Sequence, residues 1–283
     1  MQLDPERGYD LIGDIHGCGH ALARLLDQLG YRLQGGVWRH PRRQVIFLGD
    51  IIDRGPHIRE ALHLVHAMVD HGQAHCIMGN HEFNALGWYM PAPPGSGRDF
   101  VREHSPRFAR LLQETFQQFE HYPEEWKAFR EWFYDLPLFL ETERFRVVHA
   151  CWDSRVIARL RPLLNDGRIN PAILREAGLP GTFICQALDR LLRGTDMPLP
   201  EGMTLTSEEG FVRTFFRTKF WEENPQTYGD VVFQPDGLPE HAARLPLSPQ
   251  QKNRLFLYGP DEPLLFVGHY WRRGRPGPIR DNL

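Results

Sequence analysis

Short apolar runs and amphipathic stretches alternate along the first part of the chain. Residues 10–12, 45–48 and 75–78 are apolar runs with the length of buried parallel strands. Residues 21–29 and 58–70, which lie between these runs, carry apolar side chains at the spacing of one helix face. This alternation implies parallel βαβ units with right-handed crossovers. The pattern therefore predicts an α/β fold, which some schemes would class as α+β.

The rest of the chain has a less regular pattern. Residues 31–41 predict a hairpin or an irregular connection, and a helical insertion with two aromatic stripes is predicted at about residues 98–136. We expect these stripes to pack in the core. Long irregular stretches in a compact domain are often functional, so we expect those of this chain to shape substrate access. The remaining segments are strands at 145–148 and 264–267, helical pieces at 165–196, and irregular stretches at 197–210 and 221–249.

Each apolar run delivers a polar side chain of a metal-binding type where it ends. Asp14, Asp50 and Asn80 follow the first three runs, and His149 and His269 follow the two later ones. In open α/β sheets, ligands bind in the crevice beyond the carboxyl ends of the strands. Chance placement after five strands is improbable, so the sequence predicts one site built from all five loops.

The candidate ligands combine hard oxygen atoms with imidazole nitrogens. This combination suits manganese, iron or zinc better than calcium, and the lack of thiolates disfavours a structural zinc site. We therefore expect two divalent metal ions, with manganese preferred and iron or zinc as alternatives. Asp50 is the natural bridging carboxylate for ions about 3.5–4 Å apart that hold a nucleophilic hydroxide between them. The predicted ligands are Asp14, His16, Asp50, Asn80, His149 and His269.

Three further residues are candidates for catalysis and phosphate binding. His81 directly follows Asn80, and adjacent side chains do not easily reach one metal ion, so we expect His81 to face the leaving group as a general acid. Asp53 is the plausible carboxylate that orients it. Arg54 offers a planar fork that suits two phosphoryl oxygens. Each residue alone has an ordinary structural explanation, whereas the whole set favours a metal site.

The motifs in these segments resemble those of a known family. GDIHG at 13–17, GDIIDRG at 49–55 and GNHE at 79–82 resemble the three signatures of the calcineurin-like metallophosphoesterases. The DRG and NHE forms are most similar to the serine/threonine phosphatase branch and its bacterial relatives, which include diadenosine-tetraphosphate hydrolases. The resemblance is specific over residues 10–82 and continues more loosely through HACWD and GHYW. It implies a ββ sandwich flanked by helices, with residues 1–283 forming a single domain.

The resemblance also implies roles for the candidate residues. His81 with Asp53 would form the acid pair, and Arg54 would hold phosphate. A second phosphate-binding arginine is expected between the two late histidines, where Arg213 and Arg217 are candidates and Arg217 is preferred. The implied metal ligands are Asp14, His16 and Asp50 for one ion, and Asp50, Asn80, His149 and His269 for the other.

The chain departs from the family pattern at two places. His149 is followed by Ala150 and Cys151, where the eukaryotic protein phosphatases have two glycines. The sequence also ends soon after His269, whereas relatives usually continue through one or two more strands. Either the protein is short or its C-terminal strands are absent from this sequence. Loss of those strands would leave an exposed sheet edge and weaken the His269 ligand.

Composition narrows the classes of partner and compartment. The chain has 283 residues, a net charge of −3 and four scattered cysteines without a CxxC pair. This charge gives no electrostatic case for duplex nucleic acid, and the cysteine pattern argues for a reducing compartment. No signal peptide or apolar run of membrane length is visible, so we expect a cytoplasmic protein without membrane association. The sequence leaves the oligomeric state open.

The leading hypothesis is a dinuclear metal-dependent phosphoesterase in which a metal-bridging hydroxide attacks phosphorus. Hydrolysis of phosphomonoesters ranks first, with a phosphorylated small molecule, a nucleotide or a phosphoprotein as substrate, in the manner of a protein phosphatase. Cleavage of dinucleoside polyphosphates such as diadenosine tetraphosphate is the first alternative, and RNA-end or cyclic-nucleotide phosphoesterase activity is another. A non-enzymatic phosphate- or nucleotide-binding module is disfavoured, because every ligand and the acid pair are present.

Overall fold

Strands and helices alternate in the first third of the fold, as the apolar pattern predicts. The computed structural model describes residues 3–206, 212–233, 238–272, 274–275 and 277–283. The first elements are β1 (Gly8–Ile12), α1 (Gly19–Gln28), β2 (Arg32–Gln34), β3 (Val37–Arg39), β4 (Arg43–Phe47), α2 (Ile58–Asp70), β5 (Ala74–Cys76) and α3 (Asn80–Tyr89).

The first sheet has the strand order β1-β4-β5, and its strands are parallel. Asp10 pairs with Val45, and Val45 pairs with Ala74. Parallel strands need crossover connections, which α1 and α2 supply. The short strands β2 and β3 form the predicted antiparallel hairpin. The carboxyl ends of the three parallel strands therefore meet at one edge of the sheet.

Two helices follow, α4 (Pro106–Phe119) and α5 (Pro123–Phe133), as predicted for this part of the chain. Each begins with a proline in its first turn, where the missing N–H group costs no hydrogen bond. Ser105 caps α4, because its side chain accepts a hydrogen bond from the N–H of Phe108. The apolar stripes pack in the main core as expected. Their buried members include Leu112, Phe119, Trp126, Phe129 and Phe133.

The second half of the chain contains shorter elements. Both late strands that the sequence predicts are present. The elements are β6 (Phe139–Glu141), β7 (Phe145–Val148), α6 (Ser154–Leu160), a 3-10 turn (Arg161–Leu163), α7 (Pro171–Glu176), α8 (Phe183–Arg193), β8 (Asp196–Pro198), β9 (Leu205–Thr206), β10 (Val212–Arg213), β11 (Phe215–Arg217), α9 (Tyr228–Val231), α10 (Glu240–Ala243), α11 (Pro249–Arg254) and β12 (Leu264–Val267).

A second sheet with the order β12-β7-β6 packs face to face against the first. Successive side chains of a strand point to opposite faces. Ile46 and Leu48 therefore lie between the two sheets, whereas Val45 and Phe47 join the main core with the helices. The predicted ββ sandwich flanked by helices is confirmed. Its inner layer is built from Ile46, Leu48, Ile77, Leu140 and Val147.

The segment between α8 and β12 has a small core of its own. Strands β8 and β11 pair with each other, and so do β9 and β10. The prediction that residues 197–210 and 221–249 are irregular is therefore wrong where these strands and the helices α9 and α10 form. Elements of two to four residues are too short to give a periodic pattern. Residues 207–211 and 234–237 lie outside the described residues. The small core consists of Met197, Leu199, Phe216, Tyr228, Val231 and Leu247.

Backbone near the C-terminus lies beside β12. The N–H of Leu265 donates a hydrogen bond to the carbonyl of Asn282 at 2.9 Å. This contact covers part of the sheet edge beside β12. Within the described residues, no helix has both the length and the apolar character needed to cross a membrane.

Candidate active site

The polar loops that follow the strands meet at one edge of the sandwich. Asp14, Asp50 and Asn80 follow β1, β4 and β5, and His149 and His269 follow β7 and β12. His149 Nε2 lies 3.3 Å from a carboxylate oxygen of Asp50 and 3.0 Å from the amide oxygen of Asn80. The N–H of His269 donates to Asp14 at 3.0 Å. The structure thus brings all five predicted loops together.

Five residues of these loops have an unusual backbone conformation. His16, Asp50, Asp53, Arg54 and His269 have φ values of 44°, 53°, 71°, 68° and 57°. Non-glycine residues rarely adopt this left-handed region, which costs on the order of 1–3 kcal/mol per residue. In the described part of the chain, one other non-glycine residue has a φ value in this region. Such a concentration of backbone strain is typical of functional sites.

Two glycines let the ends of β4 and β5 approach closely. A Cβ atom on Gly49 would lie 2.4 Å from the nitrogen of Gly79, and one on Gly79 would lie 2.3 Å from the nitrogen of Asp50. Gly49 also has a φ of 87°, which residues with a side chain disfavour. Glycine immediately before Asp50 and Asn80 is therefore a packing requirement of the site.

Glu82 connects two of the ligand-bearing loops. Its buried carboxylate accepts hydrogen bonds from the N–H groups of Asp50 and Ile51, each at 2.8 Å, and from that of Gly79 at 3.0 Å. Burial, and then the charge of Asp50, raises the pKa of Glu82 to about 7, while the N–H donors act in the opposite direction. Since an ionised carboxylate only accepts hydrogen bonds, that form matches the three donors.

Asp50 occupies the centre of the site and is almost completely buried. Its carboxylate lies 3.7 Å from His16 Nε2 and 3.3 Å from His149 Nε2. Burial alone would raise the pKa of Asp50, but His149 and His81 outweigh it and hold the pKa well below its ordinary value. Ligand atoms lie within 4.8 Å of one another in two groups, His16 with Asp50 and His81, and Asp50 with His149 and His269. Asp50 therefore belongs to both groups.

Backbone carbonyl groups orient two of the histidines. His149 Nδ1 donates to the carbonyl of Leu48 at 2.6 Å, and His16 Nδ1 donates to the carbonyl of Ile52 at 3.0 Å. Because a carbonyl oxygen only accepts hydrogen bonds, each Nδ1 atom carries the proton. The Nε2 atom of each ring then faces the carboxylates, where its lone pair would be available to a metal ion, an arrangement typical of metal-binding histidines.

The donor set fits divalent metal ions. His269 Nε2 is buried and has no hydrogen-bond partner among the described residues. Burial, and then the charge of Arg217, holds the pKa of His269 well below its ordinary value, so the ring is neutral. Buried polar atoms are nearly always satisfied, and a metal ion would satisfy this one. Carboxylate, amide and imidazole donors together suit such an ion.

Asp14 is placed less tightly than the other candidate ligands. His16 Nε2 lies 3.9 Å from a carboxylate oxygen of Asp14. That carboxylate also accepts from the N–H of His269. Asp14 lies outside both groups of ligand atoms within 4.8 Å of one another. Its role as a ligand stays a prediction.

His81 and Asp53 form a buried pair beside Asp50. His81 Nδ1 lies 2.5 Å from Asp53 Oδ2, and Asp53 also accepts a hydrogen bond from the hydroxyl of Thr115 in α4. Burial lowers the pKa of His81, but the charges of Asp50 and Asp53 outweigh it and raise the pKa above its ordinary value. His81 Nε2 is 3.9 Å from Asp50. Geometry alone therefore also permits His81 as a metal ligand.

The predicted phosphate-binding arginines line a cleft beside these residues. Arg54 is exposed at this cleft. Arg217 Nη1 donates to the carbonyl of His269 at 3.1 Å, and its guanidinium carbon lies 5.3 Å from the centre of the Tyr270 ring. Arg213 lines the same cleft. The geometry therefore keeps both Arg213 and Arg217 as candidates for the second phosphate-binding arginine.

The cleft has a volume of about 380 Å³ and contains residues that sequence reasoning missed. Asn84 lies one turn after Asn80 on α3, Arg107 is in α4, and Arg193 ends α8. Thr115 lies in the stripe of α4, for which the sequence predicts core packing alone. All four lie within helices, so no position after a strand marked them. A signal is visible only in hindsight for Thr115, which is a polar residue inside an apolar stripe.

A second cavity, of about 700 Å³, is larger than the cleft. It lies at the amino ends of β1 and β7, where Tyr9 and Phe145 line it. None of the candidate ligands lines this cavity. We place the active site in the smaller cleft, because the strained loops and the titratable side chains converge there.

Comparison with known proteins gives one family and several partial relatives. The model of the calcineurin-like phosphoesterase family matches residues 9–176, which is more than half of the chain. A protein of Halalkalibacterium halodurans, named bis(5'-nucleosyl)-tetraphosphatase PrpE [asymmetrical], is 46% identical over 83 residues, or 29% of this chain and 33% of that protein. Its namesake in Oceanobacillus iheyensis is 32% identical over 142 residues, or 50% of this chain and 54% of that protein. The chain thus spans between a third and about half of the length of these relatives.

Similarity to solved structures is weaker. A protein serine/threonine phosphatase from Saccharomyces cerevisiae is 20% identical, with a TM-score of 0.35, over 53% of this chain and 40% of that chain. A likeness at this level supports no further conclusion about this protein.

Proposed function

As this chain belongs to the calcineurin-like phosphoesterase family, we propose that it hydrolyses phosphate esters with the help of two divalent metal ions. The observation that carries this proposal is the position of Asp50. Its buried carboxylate lies in both groups of ligand atoms, so it is suited to bridge two ions. His269 Nε2, which is buried without a partner among the described residues, adds independent support for one of them.

We assign the candidate ligands to two ions. When bound, the ions supply Lewis-acid stabilisation and an activated water. We propose manganese as the metal, with iron or zinc as alternatives. The ligands would be Asp14, His16 and Asp50 for one ion, and Asp50, Asn80, His149 and His269 for the other.

His81 would protonate the leaving oxygen. Its Nδ1 atom is engaged by Asp53, which leaves Nε2 as the atom that faces the cleft. A general acid must reach the oxygen that accepts its proton, and Nε2 is the atom placed to do so. Asp53 fixes the ring and stabilises its charged form.

Arg54 and Arg217 would bind the non-bridging oxygens of the reacting phosphate. Guanidinium groups form paired hydrogen bonds with phosphate and stay charged at every relevant pH. Arg54 is exposed at the cleft, and the carbonyl of His269 orients Arg217. Both arginines are therefore placed to stabilise the negative charge of the transition state.

Two substrate classes remain candidates within this function. Phosphomonoesters, including phosphoproteins, rank first on the motifs. The names of the curated relatives favour dinucleoside polyphosphates, and so does the number of arginines in the cleft, since one phosphate needs fewer than five. We therefore propose dinucleoside polyphosphates as the second candidate.

We also propose that the protein acts in the cytoplasm. Its four cysteines, all within the described residues, are free thiols. Free thiols are typical of proteins in a reducing compartment.

Turnover of a generic aryl phosphate with added Mn²⁺ tests the proposed function. We expect wild-type protein to hydrolyse it and Asp50→Asn to lose the activity, because a neutral amide is a poor metal bridge. Asp27→Asn is the matched control, since Asp27 is an exposed carboxylate that pairs with Arg32 on the surface. Failure of wild-type protein to turn over any phosphate ester would favour the binding-module alternative instead.

A panel of phosphopeptide, dinucleoside tetraphosphate and 2′,3′-cyclic nucleotide then separates the enzymatic options.

A further inference from the structure

The cleft carries more positive charge than one phosphate requires. Five arginines line it, against the two carboxylates of Asp14 and Asp50. The chain as a whole has a net charge of −3, so this positive charge is a local concentration. Clustered charge of one sign in a cleft attracts ligands of the opposite sign. Arg54 and Arg217 suffice for a single phosphoryl group, and Arg193 lines the same cleft.

Arg193 is the best defined of the additional arginines. It is the last residue of α8. Its Nη2 atom donates to the amide oxygen of Asn84 at 2.6 Å, and its Nη1 atom donates to Asp189 Oδ1 at 2.7 Å. A third of the side chain, 32%, is exposed. These contacts hold one guanidinium at the cleft, and they use two of its five N–H donors.

The end of α8 is fixed to the loops that carry the late histidines. The N–H of Ala150, next to His149, donates to the carbonyl of Leu191 in α8 at 2.9 Å. Gly194 ends the helix with a φ of 83°, and a Cβ atom there would lie 2.0 Å from the hydroxyl oxygen of Tyr270. Arg193 is therefore held at a defined position relative to the metal ligands.

Positive charge is in excess around Arg193. Arg193 lies close to Arg102, a nearly buried arginine whose guanidinium carbon is 4.9 Å from the centre of the Phe83 ring. Burial, and then the charge of Arg193, lowers the pKa of Arg102 to about 9. Arg102 is also within 4.0 Å of Asp189. Arg102 and Arg193 thus share the single carboxylate of Asp189, and an anion in the cleft would compensate the remaining positive charge.

We propose that Arg193, positioned by Asn84 and Asp189, binds a second phosphoryl group of the substrate. The cleft would then prefer substrates in which the reacting phosphate is linked to further phosphates over simple monoesters. This inference rests on the proposed phosphoesterase function and adds a residue that selects among its substrates.

Substituting Arg193 tests the proposal through substrate preference. We expect Arg193→Gln to lower kcat/KM for a dinucleoside tetraphosphate about tenfold more than kcat/KM for an aryl phosphate, the usual effect of losing one charge-assisted hydrogen bond. The loss should appear mainly in KM. Arg193→Lys keeps the charge but loses the planar fork, so its effect should be intermediate. Arg175→Gln, which changes an exposed arginine in the last turn of α7, is the matched control.

Binding to metal-free protein gives a readout that does not depend on turnover. Chelator-treated wild-type protein should be stabilised against heat more by inorganic tripolyphosphate than by orthophosphate. Arg193→Gln should lose most of that difference, and Arg175→Gln should keep it. If wild-type protein shows no difference, or if Arg193→Gln retains it, the proposal is wrong.

The two failures can be told apart. If wild-type protein hydrolyses neither substrate, the proposed function fails, and the binding measurement still judges Arg193. If wild-type protein hydrolyses both and Arg193→Gln reduces both equally, only the second-phosphate role is overturned. A lower melting temperature for Arg193→Gln without ligand would reveal loss of the contacts with Asn84 and Asp189, which Arg193→Lys is expected to retain in part.

Discussion

At the residue scale, the pair of His81 and Asp53 shows how one hydrogen bond assigns roles to atoms. The carboxylate of Asp53 engages Nδ1 of the ring, so only Nε2 is left for a substrate or a metal ion. The geometry permits both uses, because Nε2 also lies 3.9 Å from Asp50. General acid and metal ligand are different chemical roles, and a substitution can separate them.

We predict that His81→Asn acts selectively on poor leaving groups. An alkoxide needs a proton in order to leave, whereas a nitrophenolate leaves without one. Turnover of an alkyl phosphate should therefore fall roughly 10²–10⁴-fold, the usual range for general acid–base catalysis, and turnover of an aryl phosphate should fall much less. Metal content measured by elemental analysis should stay normal. Equal losses on both substrates, or loss of a metal ion, would identify His81 as a ligand or phosphate binder.

Thr115 supports this pair from a different element. Its hydroxyl donates to Asp53 Oδ1, and it accepts a hydrogen bond from the N–H of Asp53 at 3.2 Å. Thr115→Val should leave two buried polar groups of Asp53 short of a partner. We expect a loss of about 1–3 kcal/mol in the free energy of unfolding, together with a lower rate on alkyl phosphates. Thr115→Ser keeps the hydroxyl and is the matched control, so an equal loss in both variants would contradict the hydrogen-bonding role.

At the element scale, the candidate ligands follow short strands, and side chains outside the strands hold the loops in place. Glu82 in α3 joins the ends of β4 and β5 through backbone N–H groups. Tyr31, which follows α1, connects that part of the chain to β1, because its hydroxyl donates to the side chain of Asp10 at 2.9 Å. Both contacts connect elements that are separate in sequence.

The contact between Tyr31 and Asp10 predicts a pH dependence of stability. Burial, and then the hydrogen bond to Asp10, raises the pKa of Tyr31 above its ordinary value near 10. The folded state therefore retains the proton that the unfolded chain releases, so the stabilisation is complete below pH 10 and is lost as the pH rises above it. Denaturant unfolding of wild-type protein and Tyr31→Phe across this range is the measurement.

Tyr31→Phe should be less stable at neutral pH, by about 1 kcal/mol for the lost hydrogen bond. Its free energy of unfolding should fall less steeply above pH 10, because phenylalanine has no proton to release. Parallel curves for the two proteins would show that Tyr31 does not contribute to the alkaline loss.

At the scale of the whole molecule, the candidate metal centre joins the two sheets. Asp14 and Asp50 come from the first sheet, and His149 and His269 come from the second. Any ligand that binds only the folded state stabilises it by mass action. An ion held by both sheets should therefore resist their separation.

We predict that metal removal lowers thermal stability. Wild-type protein at a metal concentration of 100 times Kd should gain about 2.7 kcal/mol over the chelated form. Asp50→Asn should lack most of this gain, because it weakens both sites. Melting temperatures with Mn²⁺ and with chelator measure the effect, and equal values for wild-type protein under both conditions would contradict a structural contribution from the metal.

Much of the site was predictable because its chemistry follows strand ends. A short apolar run identifies a buried strand, and the next residues must lie at the sheet edge where ligands bind. The types of residue at these positions, such as Asp50 and His149, then indicated metal binding without any knowledge of packing. The helical periodicity of α2 and the apolar stripes of α4 and α5 are also features of the local sequence. These helices are therefore confirmed nearly as predicted.

Only the tertiary structure decided which helix side chains join the site. Thr115, Asn84 and Arg193 lie on helices whose spacing looks the same whether a face meets the core or the cleft. The short strands of the small core were also hidden, because pairing partners and not local pattern make them strands. Side-chain type and strand position are properties of the local sequence, whereas the orientation of one helix toward another element depends on long-range packing. For that reason the candidate ligands could be predicted from the sequence, whereas the helix residues that line the cleft could not.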